Sequence, residues 1–178
     1  MTPVTMRRRD GTEATVDAGA VSSLGASLVG DLLTSEHPAY DEARSVWNAM
    51  IDKRPGLIAR CKGPSDVANV VRFARDHDLL LAIKGAGHNI AGRATCDGGI
   101  VIDFAEMKAI RVDPEARTAR VEAGCTLGDL DDATQPFGLA IPAGINSTTG
   151  VAGLTLGGGF GWLSRKHGLT VDNLLSAN

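Results

Sequence analysis

The amino-acid sequence predicts an α+β fold, a small parallel βαβ layer beside a mixed sheet. Three observations predict it. An apolar run at 57–59, an amphipathic stretch beginning near Ser65 and a second apolar run at 79–83 succeed one another as strand, helix and strand, the order of a right-handed parallel crossover. Two short segments, 110–112 and 118–121, flank Asp113-Pro114-Glu115 as the arms of a hairpin flank its turn. Glycine, 22 residues in all, crowds between 85 and 168, where the backbone must turn sharply or approach another group closely.

Residues 1 to about 36 mix Thr, Ala, Gly, Ser and charges without a period. They read as a loosely ordered lead-in, which sets a domain start at residue 41. From there Ala43, Val46, Trp47, Met50 and Ile51 recur at helical spacing, and Arg54-Pro55-Gly56 stops the helix they predict. After the strand at 57–59, Ser65 is a suitable cap for a helix with Val67, Val70, Val71 and Ala74 on one face. A turn-rich loop from Lys84 to Gly99 precedes a strand at 100–103. Thr126-x-x-Asp129 has the form of a capping box and opens a third helix that ends near Gly138. The chain is then glycine-rich through Gly161, forms a short helix over 162–167 closed by Gly168, and stops soon after Leu174-Leu175, which does not read as the end of a finished domain.

Composition excludes several classes. The net charge is -3 and Arg7 to Arg9 form the one basic run, so a nucleic-acid face is not expected. No apolar stretch approaches the roughly 20 residues of a membrane helix, and the N-terminal arginines are not followed by the apolar core of a secretory signal. Cysteines at 61, 96 and 125 are odd in number and widely spaced. They suit a reducing cytoplasm better than a disulfide framework or a zinc site.

The chemistry is expected in two loops. Lys84-Gly85-Ala86-Gly87-His88-Asn89-Ile90-Ala91-Gly92 directly follows a strand; small residues there let the backbone approach a ligand, and successive N–H groups can form an anion nest suited to pyrophosphate. A dinucleotide fingerprint of the Rossmann type fails, because the third glycine would have to be Ile90 and Thr95, Asp97, Gly98 and Gly99 forbid a regular helix downstream. A glycine loop that merely turns the chain is the plainer alternative. His88 is the one imidazole within such a loop, whereas His37, His77 and His167 read as surface residues. No second ligand stands at a standard spacing from His88, so no metal is expected. The second loop runs from Gly144-Ile145-Asn146-Ser147-Thr148-Thr149-Gly150-Val151-Ala152-Gly153 to Gly157-Gly158-Gly159-Phe160-Gly161. Its hydroxyls and amides alternate with positions lacking side chains, a pattern able to line a flat, polar-edged ring.

These motifs together resemble the FAD-linked oxidases of the vanillyl-alcohol oxidase and berberine-bridge-enzyme superfamily, with its PCMH-type cofactor domain. The residues that carry the resemblance are 54–59, the Lys84 to Asn89 loop, 97–103, 148–161 and 172–176, so that it covers about residue 41 to the end. The resemblance implies FAD as cofactor, Lys84 to Asn89 around its pyrophosphate, Gly92 as a further cofactor-binding residue, and His88 bonded to the 8α-methyl carbon of the flavin. It also implies that Gly144, Asn146, Thr148, Thr149, Gly150, Val151, Gly153, Gly158 and Gly161 run along the ribityl chain and ring, with Val151 as an oxygen gate. Many members carry a second link through a cysteine, at a position that is Asn146 here, so a single link is expected. Family members continue into a substrate domain that supplies the catalytic base, and FAD lies between the two domains; this chain would be the N-terminal portion of the cofactor domain, with no catalytic residue of its own. The implied reaction passes a hydride from a small organic substrate to FAD and its electrons to oxygen, with no nucleic-acid or membrane partner and a cytoplasmic location. A truncated, non-catalytic flavin-binding fragment or interaction module is the rival reading.

Overall fold

The computed structural model describes residues 3–177. The chain divides into two compact units, the first running to Glu106 and the second starting at Met107.

The first unit opens with a hairpin of β1 (Val4–Arg7) and β2 (Glu13–Val16), followed by α1 (Ala18–Ser27) and β3 (Asp31–Leu33). The lead-in expected to be loosely ordered is therefore regular structure. Its hairpin buries Met6 and Val16, and the Arg7 N–H and C=O bond to Gly98 and Leu80. Asp17 caps α1 through the Gly19 N–H. These strands are short and lack a long alternation, so the sequence carries little period for them. The unit continues with α2 (Tyr40–Arg44), β4 (Leu57–Arg60), α3 (Pro64–Asp76), β5 (Leu81–Lys84) and β6 (Ile100–Asp103).

The sheet order is β3-β4-β6-β5, with β4, β6 and β5 parallel and β3 antiparallel on the edge. The strand-helix-strand unit exists, but its two strands are not neighbours. β6, buried at all four positions, lies between them. The parallel layer is thus itself part of the mixed sheet, within the α+β class that the sequence predicts. Register aligns Leu33, Ile58, Val101 and Ala82 in one row across the sheet, and these pack with Tyr40, Ala43 and Cys96. Leu57, Ala59, Ile100 and Ile102 alternate to the other face and are buried too, as expected of central parallel strands. On α3 the apolar face is narrower than the pattern suggests: Val70 and Ala74 are buried while Val71 is exposed. Its cap position is Gly63 with Pro64 in the first turn, rather than Ser65.

The helix expected over residues 41–51 is the clearest departure. It ends at Arg44, and Ser45 is already extended. Arg44 bonds Asp41, Asp52 and the Lys53 carbonyl, which ties the ends of the irregular 45–52 segment together.

The second unit holds the predicted hairpin, β7 (Ile110–Asp113) with β8 (Thr118–Val121), and α4 (Leu127–Thr134). The capping box is formed: Thr126 Oγ1 accepts from the Asp129 N–H, and the Asp129 carboxylate accepts from the Thr126 N–H. A 3-10 turn over Gln135–Phe137 ends at Gly138, whose φ of 63° needs the left-handed freedom of glycine. α5 (Val151–Leu156) and α6 (Ser164–His167) follow, then a 3-10 turn over Val171–Asn173. The second loop is not irregular throughout: α5 forms inside it. No helix of the described residues is long and apolar enough to cross a membrane.

Candidate cofactor site

In the first unit, β5 delivers the chain at Lys84 into the loop that carries His88. Arg60, Lys84 and Asp103 are the last residues of three parallel strands and stand in register. The Asp103 carboxylate is fully buried, 3.7 Å from the Lys84 ammonium and 3.9 Å from the Arg60 guanidinium. Burial pushes this carboxyl above the ordinary range despite the two cations, with the Ala105 N–H as a further bond. Lys84 Nζ also donates to the Ala43 carbonyl at 2.6 Å. Its ammonium is thus committed to this buried cluster, and the backbone of Lys84 is what continues into the loop.

The segment 46–53, freed from the helix, embraces this loop. The Trp47 N–H donates to the Gly87 carbonyl at 3.2 Å, and Asn48 Nδ2 donates to the Ile90 carbonyl at 3.3 Å. Gly87 has φ 74°, and a Cβ there would lie 3.4 Å from Val46. A Cβ on Gly92, at φ 67°, would stand 2.7 Å from Ile51. Lys53 Nζ donates to the Gly92 and Thr95 carbonyls. The Trp47 indole stacks on the His88 imidazole, with centroids 5.2 Å apart and planes 24° apart. His88 is half-buried, while Gly87 and Gly92 are buried and Asn89 is exposed. Gly85 and Ala86 are half-buried, and Asn89 Oδ1 accepts from the Arg93 N–H. Sequence reasoning found the loop but missed its brace, because 43–51 also satisfies a helical period.

Of the other imidazoles, His37 and His167 are exposed as expected. His77 is half-buried and packs its ring 4.5 Å from that of Phe73. Among the described residues no group of three or more His, Cys, Asp or Glu side chains could hold a metal ion. All three cysteines are free and buried; burial pushes the Cys61 thiol up to about 12 and Cys96 up to about 11.

In the second unit, residues 147–151 run antiparallel to 125–128. Leu127, Gly128 and Val151 donate their N–H groups to Thr149, Ser147 and Cys125 respectively, and Thr126 bridges Gly150. Asn146 Oδ1 accepts from both the N–H and the hydroxyl of Thr148, closing a local turn. Gly144 packs under Leu127 and Leu154, Gly153 faces open space on α5, and Gly158 has φ 107°. A Cβ on Gly161 would overlap the Ala143 carbonyl, so the backbones there meet without room for a side chain. Val151 is half-buried at the start of α5.

Residues 55–178 match the FAD binding domain family. The chain is 40% identical to (R)-6-hydroxynicotine oxidase of Paenarthrobacter nicotinovorans over 151 residues, which are 85% of this chain and 33% of that enzyme. Among solved structures, BBE-like 1 of Physcomitrella patens superposes with a TM-score of 0.81 at 30% identity, covering 87% of this chain and 34% of that one. The grass pollen allergen Phl p 4, as a variant described as a glucose oxidase, gives 0.79 at 29% identity, with 88% and 34% covered. The chain belongs to the FAD binding domain family, and FAD is its cofactor. It spans about a third of the length of these relatives.

Proposed function

We propose that this chain is the cofactor-holding portion of an FAD-dependent oxidase, with the flavin bonded to His88 alone. FAD bound there would supply a two-electron acceptor for hydride from a small organic substrate and a donor of those electrons to oxygen; the part of this chain would be to hold the ring and shape access to it. The donor set fits such a group. A half-buried imidazole follows a left-handed glycine at the end of a strand, among residues too small to block a ligand. The observation that carries the reading is His88 itself, half-buried and held against an indole rather than pointing into bulk solvent. In the second unit, the 144–161 segment would line a polar-edged ring with small residues, Gly153 among them, that leave its backbone open to close approach.

Asn146 supports a single link, because a carboxamide cannot form a thioether, and its oxygen is already engaged by Thr148. Val151 supports the oxidase half of the reading. Its backbone is fixed by the bond to Cys125, so its side-chain volume is what is left to vary. Phl p 4 offers a parallel: one variant is described as a glucose dehydrogenase, and the variant with an added isoleucine-to-valine exchange as a glucose oxidase. One carbon of side chain accompanies the change of acceptor there.

The test is acid precipitation of the full-length protein and its His88→Ala variant. Flavin should stay with the parent polypeptide and leave the variant entirely. Flavin retained by the variant overturns the assignment.

A further inference from the structure

We infer that Trp47 is the positioning residue for His88 in the attachment reaction, an inference that rests on the reading of His88 as the flavin-bearing residue. A histidine ring turns freely about its last torsion unless something stops it, because that torsion is broad and roughly two-fold. Here the indole lies along one face of the imidazole at 5.2 Å and 24°. Turning the ring out of this plane would give up its stack on the indole. The stack thereby favours one ring plane and covers one of the two ring faces.

Trp47 is in turn held where it can do this. Its N–H is bonded to the Gly87 carbonyl, Val46 packs against Gly87, and Asn48 reaches the Ile90 carbonyl, so bracing contacts stand on both sides of His88. Trp47 is nonetheless 61% exposed. A large aromatic left so open contributes little to a core, and its one ring partner among the described residues is His88. Burial does not account for its placement; orientation of the imidazole does.

Attachment balances as follows. The 8α-methyl group loses a proton, the imidazole loses a proton from nitrogen, and a carbon–nitrogen bond forms. The two electrons and two protons reduce the flavin, and oxygen then reoxidises it, giving hydrogen peroxide. A nitrogen nucleophile must approach the carbon along its lone pair, so fixing the ring plane raises the fraction of productive approaches.

The experiment uses the full-length apo-protein, produced under riboflavin starvation and mixed with FAD. Acid-stable flavin is followed against time in the parent, Trp47→Phe, Trp47→Leu and His88→Ala, and the dissociation constant for FAD is measured from the rapid, acid-labile phase. At saturating FAD the Leu variant should attach flavin about tenfold more slowly, the scale of one aromatic pair. The Phe variant should return to within about threefold of the parent, since its ring can stack as well. The dissociation constant should be unchanged in both. Equal rates for the Leu and Phe variants overturn the role of Trp47, as does a Leu variant whose deficit disappears at saturating FAD. In both cases loss of flavin in His88→Ala leaves the reading of His88 standing. Acid-stable flavin in His88→Ala, or none in the parent, removes that reading and this inference with it.

Discussion

Asp66 is 1% exposed, and its carboxylate accepts the N–H groups of Val29, Gly30 and Lys62 at 2.9 to 3.1 Å. Burial alone would push its pKa up; the three backbone donors outweigh that and hold it below the ordinary carboxylate value. A depressed folded pKa contributes stability that is fully present above the unfolded value of about 3.9 and is lost as pH falls through the folded one. Urea midpoints measured from pH 6 down to pH 3 should fall more steeply for the parent than for Asp66→Asn, which has no such proton linkage. Asp66→Ala should cost about 2–4 kcal/mol at pH 7, because several buried donors lose their acceptor. Nothing in the sequence marks this residue. An acid in the first turn of a helix is ordinary for the helix dipole, and its partners at 29 and 30 are distant in sequence. Val151 belongs to the same scale. In full-length protein reduced anaerobically and mixed with oxygen, Val151→Leu should reoxidise severalfold more slowly than the parent, and equal rates would remove the gate.

At the scale of elements, the segments with strong local signals formed where the sequence places them. The Thr126/Asp129 capping box, the 110–121 hairpin and the Gly168 helix stop depend on residues within a few positions of one another. Thr126→Ala should therefore cost about 1 kcal/mol, the usual worth of a cap, read as a shift in thermal midpoint. The pairing of β4 with β6 was not legible, because an apolar run says that a strand is buried but not which strand lies beside it. The 46–53 brace is hidden in the sequence for a related reason. Apolar residues at helical spacing predict a helix face, but here Val46 and Ile51 pack on Gly87 and Gly92 instead. In the candidate site the loops were legible from their glycines and His88, whereas Trp47 carries no local mark of its role. Gly30 shows the same dependence on tertiary context. A Cβ there would overlap the Arg60 carbonyl, so Gly30→Ala must push β3 from β4 and should cost roughly 2 kcal/mol or more, the scale of overpacking.

For the whole molecule, the second unit exposes large apolar side chains in one stretch of sequence. Leu156, Phe160, Trp162 and Leu175 are each more than 70% exposed. Single exposed leucines are ordinary, but this density over twenty residues is a feature of surfaces that are covered by something else. A 178-residue polypeptide on its own should therefore bind a hydrophobic dye and self-associate. A monodisperse monomer that ignores the dye and melts in one sharp transition would contradict this, and would favour a free-standing flavin-binding or interaction module over part of an oxidase.

The proposed function turns on one bond, the one proposed between His88 and the flavin. Peptide mapping of the acid-precipitated holoprotein by mass spectrometry tests it most directly. The flavin mass should appear on the peptide that contains His88 and on none that contains Cys61, Cys96 or Cys125. Flavin on a cysteine peptide, on a different histidine peptide, or wholly in the supernatant would contradict it.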